Sequence, residues 1–271
     1  MRKNLSECVI VAGQTGNQNV LAKTRDRNYV PEVKLVRDIF DNGIETVYMI
    51  DLKTGFLEGM NSNGLGIVNS TLMVYEDENP LDHGTQKQYG NIIKTALSKS
   101  SITDAIKCLV ELDGGVEGHT FVGDQKELYS IERTKHHPSR IKKLNPKTGF
   151  DIHTNHGDLH STAGYQPDTK PDDYLSSIIR KATAKVNLAD SNDYTKIAKN
   201  LLAQDFDPES NYNLKRRTNN LRTKSQMVMN LPKKEMLFYV FPDECNFHGL
   251  EDNCPKDHDS RINVRLFNWK D

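Results

Sequence analysis

Cys8-Val9-Ile10-Val11-Ala12 and, a little further on, Val20-Leu21-Ala22-Lys23-Thr24-Arg25-Asp26 are the stretches that decide how this chain is read. Both are rich in apolar and β-branched residues, and Gly13-Gln14-Thr15-Gly16 between them is a cluster of turn formers. The spacing predicts a hairpin with strands over Cys8–Ala12 and Asn19–Lys23, and Cys8 at the start of the first strand. A cysteine there can present its thiol at a sheet end or serve as an ordinary buried side chain, and position alone leaves both open.

Further strand-like runs follow at Thr46–Leu52, Phe56–Met60 and Gly66–Met73, with Lys53-Thr54-Gly55 as one of the turns, so an antiparallel meander is expected. Asn91–Ser98 and Thr103–Leu112 read as helices, the second capped by Ser101 or Thr103 and apolar along Ile106, Leu109 and Val110. Short strands are expected again at Thr120–Gly123, Leu128–Arg133 and Asp151–Thr154, the first two joined by Gly123-Asp124-Gln125-Lys126. Asp172–Ala184 and Asp193–Ala203 read as helices whose acidic first residues suit a positive helix end. Gln226–Asn230 and Glu235–Phe241, separated by Leu231-Pro232-Lys233-Lys234, close the pattern as strands. Strands, two helices, strands, two helices, strands is a layered α+β order in which two sheets can pack face to face with helices outside.

Composition narrows the function classes. The 271 residues carry 36 Lys and Arg against 37 Asp and Glu, a formal charge of −1, so no basic surface points to nucleic acid. No apolar run approaches the ~20 residues needed to cross a bilayer, and Met1–Glu7 lacks the apolar core of a secretory signal, so no membrane association and a cytoplasmic location are expected. Cys8, Cys108, Cys245 and Cys254 are too few for a disulfide scaffold and are read as reduced thiols.

The hairpin together with four later stretches resembles the N-terminal-nucleophile hydrolases of the choloylglycine hydrolase, penicillin V acylase and isopenicillin N acyltransferase type. Those families pair a leading cysteine with an arginine and an aspartate on the second hairpin strand. Gly59-Met60-Asn61-Ser62-Asn63-Gly64-Leu65-Gly66-Ile67 is similar to their "G-x-N-x-x-G-L" strand entry, and His153-Thr154-Asn155-His156 to their "T-N" element. Phe121-Val122-Gly123-Asp124 to Ile131-Glu132 and Thr223-Lys224-Ser225-Gln226-Met227-Val228 continue the likeness, which spans most of the chain. Val9 departs from the threonine that commonly follows the nucleophile.

The resemblance implies a four-layer αββα sandwich of two antiparallel sheets, with a short leader over residues 1–7 and one catalytic domain over 8–271. It makes Cys8 the nucleophile, with the leader removed by self-processing or by a host peptidase so that the cysteine's own α-amine can act as base. The aspartate position falls on Asp26, and the arginine role on Arg25 or, in its place, Lys23; Arg25 is expected to hold the Asp26 carboxylate ionised. Asn155 is expected to donate its side-chain amide to the oxyanion and Thr71 its backbone N–H. A late arginine is expected near the site, with Arg217 ranked ahead of Arg216 and Arg222. These types belong together because splitting an amide needs a nucleophile, a proton acceptor and donors for the developing oxyanion.

The implied activity is hydrolysis of a linear, non-peptide amide of a small-molecule acyl substrate through a cysteine thioester. Acyl transfer to an amine and a non-catalytic binding relative that keeps its leader are the alternatives, and a homo-oligomer is compatible with all three. A cysteine peptidase working with His153 is disfavoured by the strand context of Cys8. No cofactor and no metal are expected. His136-His137 and the His153, His156, His160 group invite a metal reading, but Gly157 interrupts the helix that would align His156 with His160. Cys245 and Cys254, eight residues apart around His248, lack the close pairing of a structural zinc site.

Overall fold

The hairpin around Cys8 is formed by β1 (Ser6–Thr15) and β2 (Gln18–Arg27), in antiparallel register with Glu7 opposite Asp26 and Cys8 opposite Arg25. Gly16 closes the turn at a φ of 59°, a conformation that favours glycine because a Cβ would crowd the backbone. The computed structural model describes residues 6–72, 83–134, 137–160, 171–203, 205–207, 210–218, 221–241, 246–248 and 264–266. Met1–Leu5, Met73, His136, Cys245 and Cys254 lie outside the described residues.

After the hairpin come β3 (Glu32–Ile39), β4 (Glu45–Asp51), β5 (Leu57–Asn61) and β6 (Gly66–Ser70), then helices α1 (His83–Leu97) and α2 (Ile102–Glu111). The middle of the chain gives β7 (Gly118–Gly123), β8 (Leu128–Thr134), β9 (His137–Lys143) and β10 (Asp151–His153), then α3 (Pro171–Leu188) and α4 (Tyr194–Asn200). The last strands are β11 (Arg222–Asn230), β12 (Glu235–Val240), β13 (Asn246–His248) and β14 (Val264–Leu266). One sheet runs β10-β1-β2-β11-β12-β14 and the other β13-β3-β4-β5-β6-β7-β8-β9. The pairings are antiparallel except β13 with β3, a parallel edge that the sequence reading did not foresee.

Alternation along the hairpin sends its two faces to different layers. Ile10, Ala12 and Leu21 pack with Val33, Leu35, Val47, Met49 and Phe121 between the sheets. Val9, Val11, Val20 and Ala22 pack against Ala184 and Leu188 of α3 and Ile197 and Ala198 of α4. Beyond the second sheet, Tyr48, Leu57, Ile67 and Val122 meet Ile92, Ile93 and Ala96 of α1 and Ala105 and Leu109 of α2. Helices, sheet, sheet, helices is the expected αββα order. Because each sheet is covered on both faces, its central strands read as continuous apolar runs rather than alternating ones.

Local chemistry fixes the helix ends. Ser101 Oγ accepts from the Asp104 backbone N–H at 3.1 Å to start α2, and Asp193 accepts from Thr195 and Lys196 to start α4. α1 approaches the β4–β5 turn at Gly90, where a Cβ would stand 2.9 Å from the Gly55 carbonyl carbon and closer still to its oxygen. Helix propensity alone makes Gly90→Ala stabilising by ~1 kcal/mol. The close approach reverses the sign: the substitution is expected to cost about 1–3 kcal/mol and lower Tm by roughly 5 °C. A Tm at or above wild type would show that α1 does not sit this close.

Candidate active site

The two faces of the β1–β2 hairpin carry two different charged clusters, with Cys8 on one and Glu7 on the other. Cys8 is 1% exposed, and its Sγ lies 3.8 Å from Arg27 Nη1. Lys23 and Arg25 point to the same inter-sheet side, where Glu58 of β5 accepts from Lys23 Nζ at 2.8 Å and Arg25 Nη2 at 2.5 Å. Asp51 stands 3.7 Å from Arg25 and accepts from Tyr29 at 2.7 Å. Burial lowers the Lys23 ammonium, with Glu58 opposing. Burial raises Glu58, but Arg25 and Lys23 outweigh it and hold the carboxyl below its ordinary range. For Arg27 burial is likewise outweighed, here by Cys8, Tyr29 and Asp51, and the guanidinium is raised. Three cations thus face two carboxylates around the sulfur.

On the helix face, Glu7 and Asp26 share two buried arginines. Arg180 Nη2 of α3 donates to Glu7 Oε2 at 2.6 Å, and Arg216 Nη1 pairs with the same oxygen at 2.8 Å. Asp26 Oδ2 lies 3.7 Å from Arg180 Nη1 and 3.8 Å from Arg216 Nε, while its Oδ1 accepts from Thr223 Oγ1 at 2.8 Å. Asp26 Oδ2 accepts no hydrogen bond among the described residues. Burial raises the Asp26 carboxyl, opposed by Arg216 and Arg180. Burial, reinforced by Arg216, lowers Arg180 to about 10.

Asn155, in the loop after β10, joins the clusters. Its Oδ1 accepts from the Cys8 backbone N–H at 3.3 Å and from Arg180 Nη2 at 2.9 Å. Its Nδ2 donates to the Thr71 carbonyl at 2.7 Å and to Ser70 Oγ at 3.3 Å. The loop is pinned because Ser177 of α3 donates to Thr154 Oγ1 and accepts the Asn155 N–H, each at 2.8 Å. Further along, Glu132 accepts the backbone N–H groups of Asp158, Leu159 and His160.

Of the residues singled out from the sequence, the structure brings Cys8, Asn155 and Thr71 together and sets Asp26 on the reverse face of the hairpin. Two expectations of the sequence reading need correction. Arg25 does not meet Asp26, because adjacent strand residues point to opposite faces; Arg25 pairs with Glu58 and Asp51 instead. Arg217 is exposed and bridges to Arg222 through the backbone, whereas Arg216 enters the cluster. Arg180, Arg27, Glu58 and Glu7 were missed. Arg180 had left a signal: it sits on the stripe Ser177, Arg180, Ala184, Leu188 of α3, all fully buried, and a charge on such a stripe calls for a partner.

His153, opposite Ile10 on β1, is held by groups other than Cys8. Its Nε2 bonds Ser130 Oγ at 3.0 Å, its Nδ1 lies against Asp158, and its ring stacks on His119 at 4.3 Å. Among the described residues no group of three or more His, Cys, Asp or Glu is arranged to hold a metal ion, and no helix is long and apolar enough to cross a membrane. Cys8 and Cys108 are free thiols.

Residues 14–238 match the family described as acyl-coenzyme A:6-aminopenicillanic acid acyl-transferase. The chain belongs to that acyltransferase family. Its fold is shared with a conjugated bile acid hydrolase from Clostridium perfringens, solved as a variant, at 12% identity over 86% of this chain and 89% of that one, TM-score 0.50. A penicillin V acylase from Agrobacterium tumefaciens aligns at 13% identity over 86% of this chain and 82% of that one, TM-score 0.49. No curated protein sequence matches the chain. The acyltransferase match begins at Gln14, six residues after Cys8.

Proposed function

We propose that this chain is an amidohydrolase of linear, non-peptide amides in which Cys8, freed as residue one by loss of Met1–Glu7, is the nucleophile. The observation that carries this reading is the convergence of the Cys8 backbone nitrogen on Asn155, with Asn155 in turn against Thr71 and Arg180. Processing begins when Sγ adds to the Glu7 carbonyl carbon. The carbon–nitrogen bond to Cys8 breaks, the nitrogen keeps the thiol proton as an amine, and water hydrolyses the resulting thioester.

The freed α-amine, with an ordinary pKa of ~7.7–8.0, then takes the thiol proton in each cycle. Asp26, opposite residue 7 and with an Oδ2 that accepts no hydrogen bond among the described residues, would hold the ammonium so formed. Arg27 Nη1, 3.8 Å from Sγ, holds the sulfur from the inter-sheet side. Sulfur attacks the substrate carbonyl, and the oxyanion is received by Asn155 Nδ2, released from Thr71, with the Thr71 N–H as second donor. Collapse expels the amine with the proton from the α-ammonium, and water or an acceptor amine resolves the thioester. Transfer to an amine is the variant that the family name favours.

One observation supports the leader-retaining binding relative: Ser6 and Glu7 continue β1, and Glu7 is buried between two arginines. Intact mass of purified wild type and Cys8→Ala separates the readings. Loss of residues 1–7 in wild type alone is expected; an intact leader in both proteins would overturn self-processing and leave a chain whose Cys8 nitrogen has no basicity.

A further inference from the structure

Glu7 is held more elaborately than a discarded residue requires. It is 6% exposed, its Oε2 is shared between Arg180 at 2.6 Å and Arg216 at 2.8 Å, and Arg180 also reaches the Cys8 carbonyl at 3.4 Å. Both guanidiniums are braced from behind: Arg216 by Ser176 Oγ and, at 3.0 Å, the Asn211 carbonyl, and Arg180 by Asn155 Oδ1. With Asp26 the cluster balances two cations against two anions. Removing Glu7 leaves Arg180 and Arg216 facing Asp26 alone, a surplus of positive charge with a carboxylate-shaped opening, beside the freed amine of Cys8. Buried arginine forks without their anion are costly, so the opening favours a replacement of the same chemistry.

We infer that the Arg180–Arg216 pair is a carboxylate-binding site, filled here by Glu7 and taken over after leader loss by a terminal carboxylate on the substrate's acyl group. The second half of this inference rests on the processing proposed above. The length of the acyl group follows from the leader's own chemistry. In the Glu7–Cys8 bond the acyl donor is Glu7, whose side-chain carboxyl is separated from the scissile carbonyl by Cα, Cβ and Cγ. Sulfur of the same residue attacks both bonds, so a substrate carbonyl delivered to it can place a carboxylate between the arginines with that same spacer. The matching substrates are monoamides of glutaric-type dicarboxylic acids.

The site is tested first without processing. In full-length Cys8→Ala protein carrying Glu7→Ala, acetate replaces the deleted carboxymethyl group. At roughly tenfold its dissociation constant it should raise Tm by about 3 °C or more over chloride at equal ionic strength. No rise is expected in Cys8→Ala alone, and adding Arg216→Met should remove it. Equal melting in acetate and chloride would overturn the site whatever becomes of the leader. Acetate stabilisation alongside an intact wild-type leader would uphold the carboxylate site while overturning the amidase reading and the substrate assignment that rests on it. In wild type shown by mass to have lost residues 1–7, kcat/KM for a glutaryl anilide should exceed that for its terminal-amide analogue about tenfold or more. A ratio of one or below would overturn the assignment of the acyl group.

Discussion

Arg216→Met should lower the stability of the leader-bearing Cys8→Ala protein by about 3–5 kcal/mol, a fall of roughly 10 °C in Tm, while Arg217→Met leaves the melting curve where it was. The two positions are neighbours in sequence and carry the same charge, so composition cannot explain a difference between them. Arg216 is 1% exposed and neutralises Glu7 and Asp26; its loss leaves Arg180 alone between two carboxylates that have no water to turn to. Part of the cost is the lost donation to Ser176 Oγ and the Asn211 carbonyl, which keep only their bond to each other at 2.9 Å. Arg217 is exposed, and what it contributes to the local backbone bridge any side chain can contribute. Thermal denaturation of the two variants side by side decides the matter, and equal melting temperatures would mean that the buried cluster does not form.

Mild acid should be the second large perturbation. Burial, together with His119, holds His153 down to about 4, and burial holds His156 down to about 4, against an ordinary value near 6.5. Between those values the unfolded chain binds protons that the folded chain refuses, so stability falls as pH falls through that window. By pH 5 the loss is on the order of 2 kcal/mol per imidazole. Their carboxylate neighbours do not offset it there. Burial is outweighed at Glu132, by His119 and backbone N–H groups, and at Asp158, by His153 and Lys181, so both are held below the usual carboxylate range; Glu132 is at about 2. Asp26, raised by burial, tilts the profile the other way. The histidine part is therefore read as the difference between denaturation profiles of wild type and His153→Gln from pH 7 to 5. Parallel profiles would refute it. The loop concerned carries Asn155, so the site should loosen before the rest of the molecule.

What the sequence made legible follows from which forces are local. The apolar runs of β1, β2, β5 and β11 stand out because both faces of their sheets are buried, and the caps Ser101 and Asp193 act within one helical turn. β3 escaped notice because Glu32-Val33-Lys34-Leu35 and the residues after it mix charges with apolar side chains. β9, beginning His137-Pro138, is a largely exposed edge strand where little favours an apolar residue. Cys8, Asn155 and the vicinity of Thr71 were reached through motif likeness, which carries the positions of side chains that meet across long separations. Partners outside those motifs stayed hidden. Whether Arg25 or Arg27 reaches the sulfur, and whether Arg216 or Arg217 turns inward, depends on strand register and one backbone bridge, and neither leaves a trace in residue order.

β1 does not start at its cysteine; it runs on through Glu7 and Ser6 as a paired strand. If the chain cuts itself there, the scissile bond is embedded in tertiary structure, and the groups around it come from 147 and 172 residues away. A nascent or misassembled chain would have no means of breaking that bond, and its cysteine would stay chemically ordinary. Maturation would then double as an inspection: only molecules that have already docked the loop after β10 and α3 onto the first hairpin would acquire a reactive amine. The activity of a preparation would count correctly assembled molecules rather than polypeptide, with no chaperone or dedicated inhibitor needed to keep the unassembled ones silent.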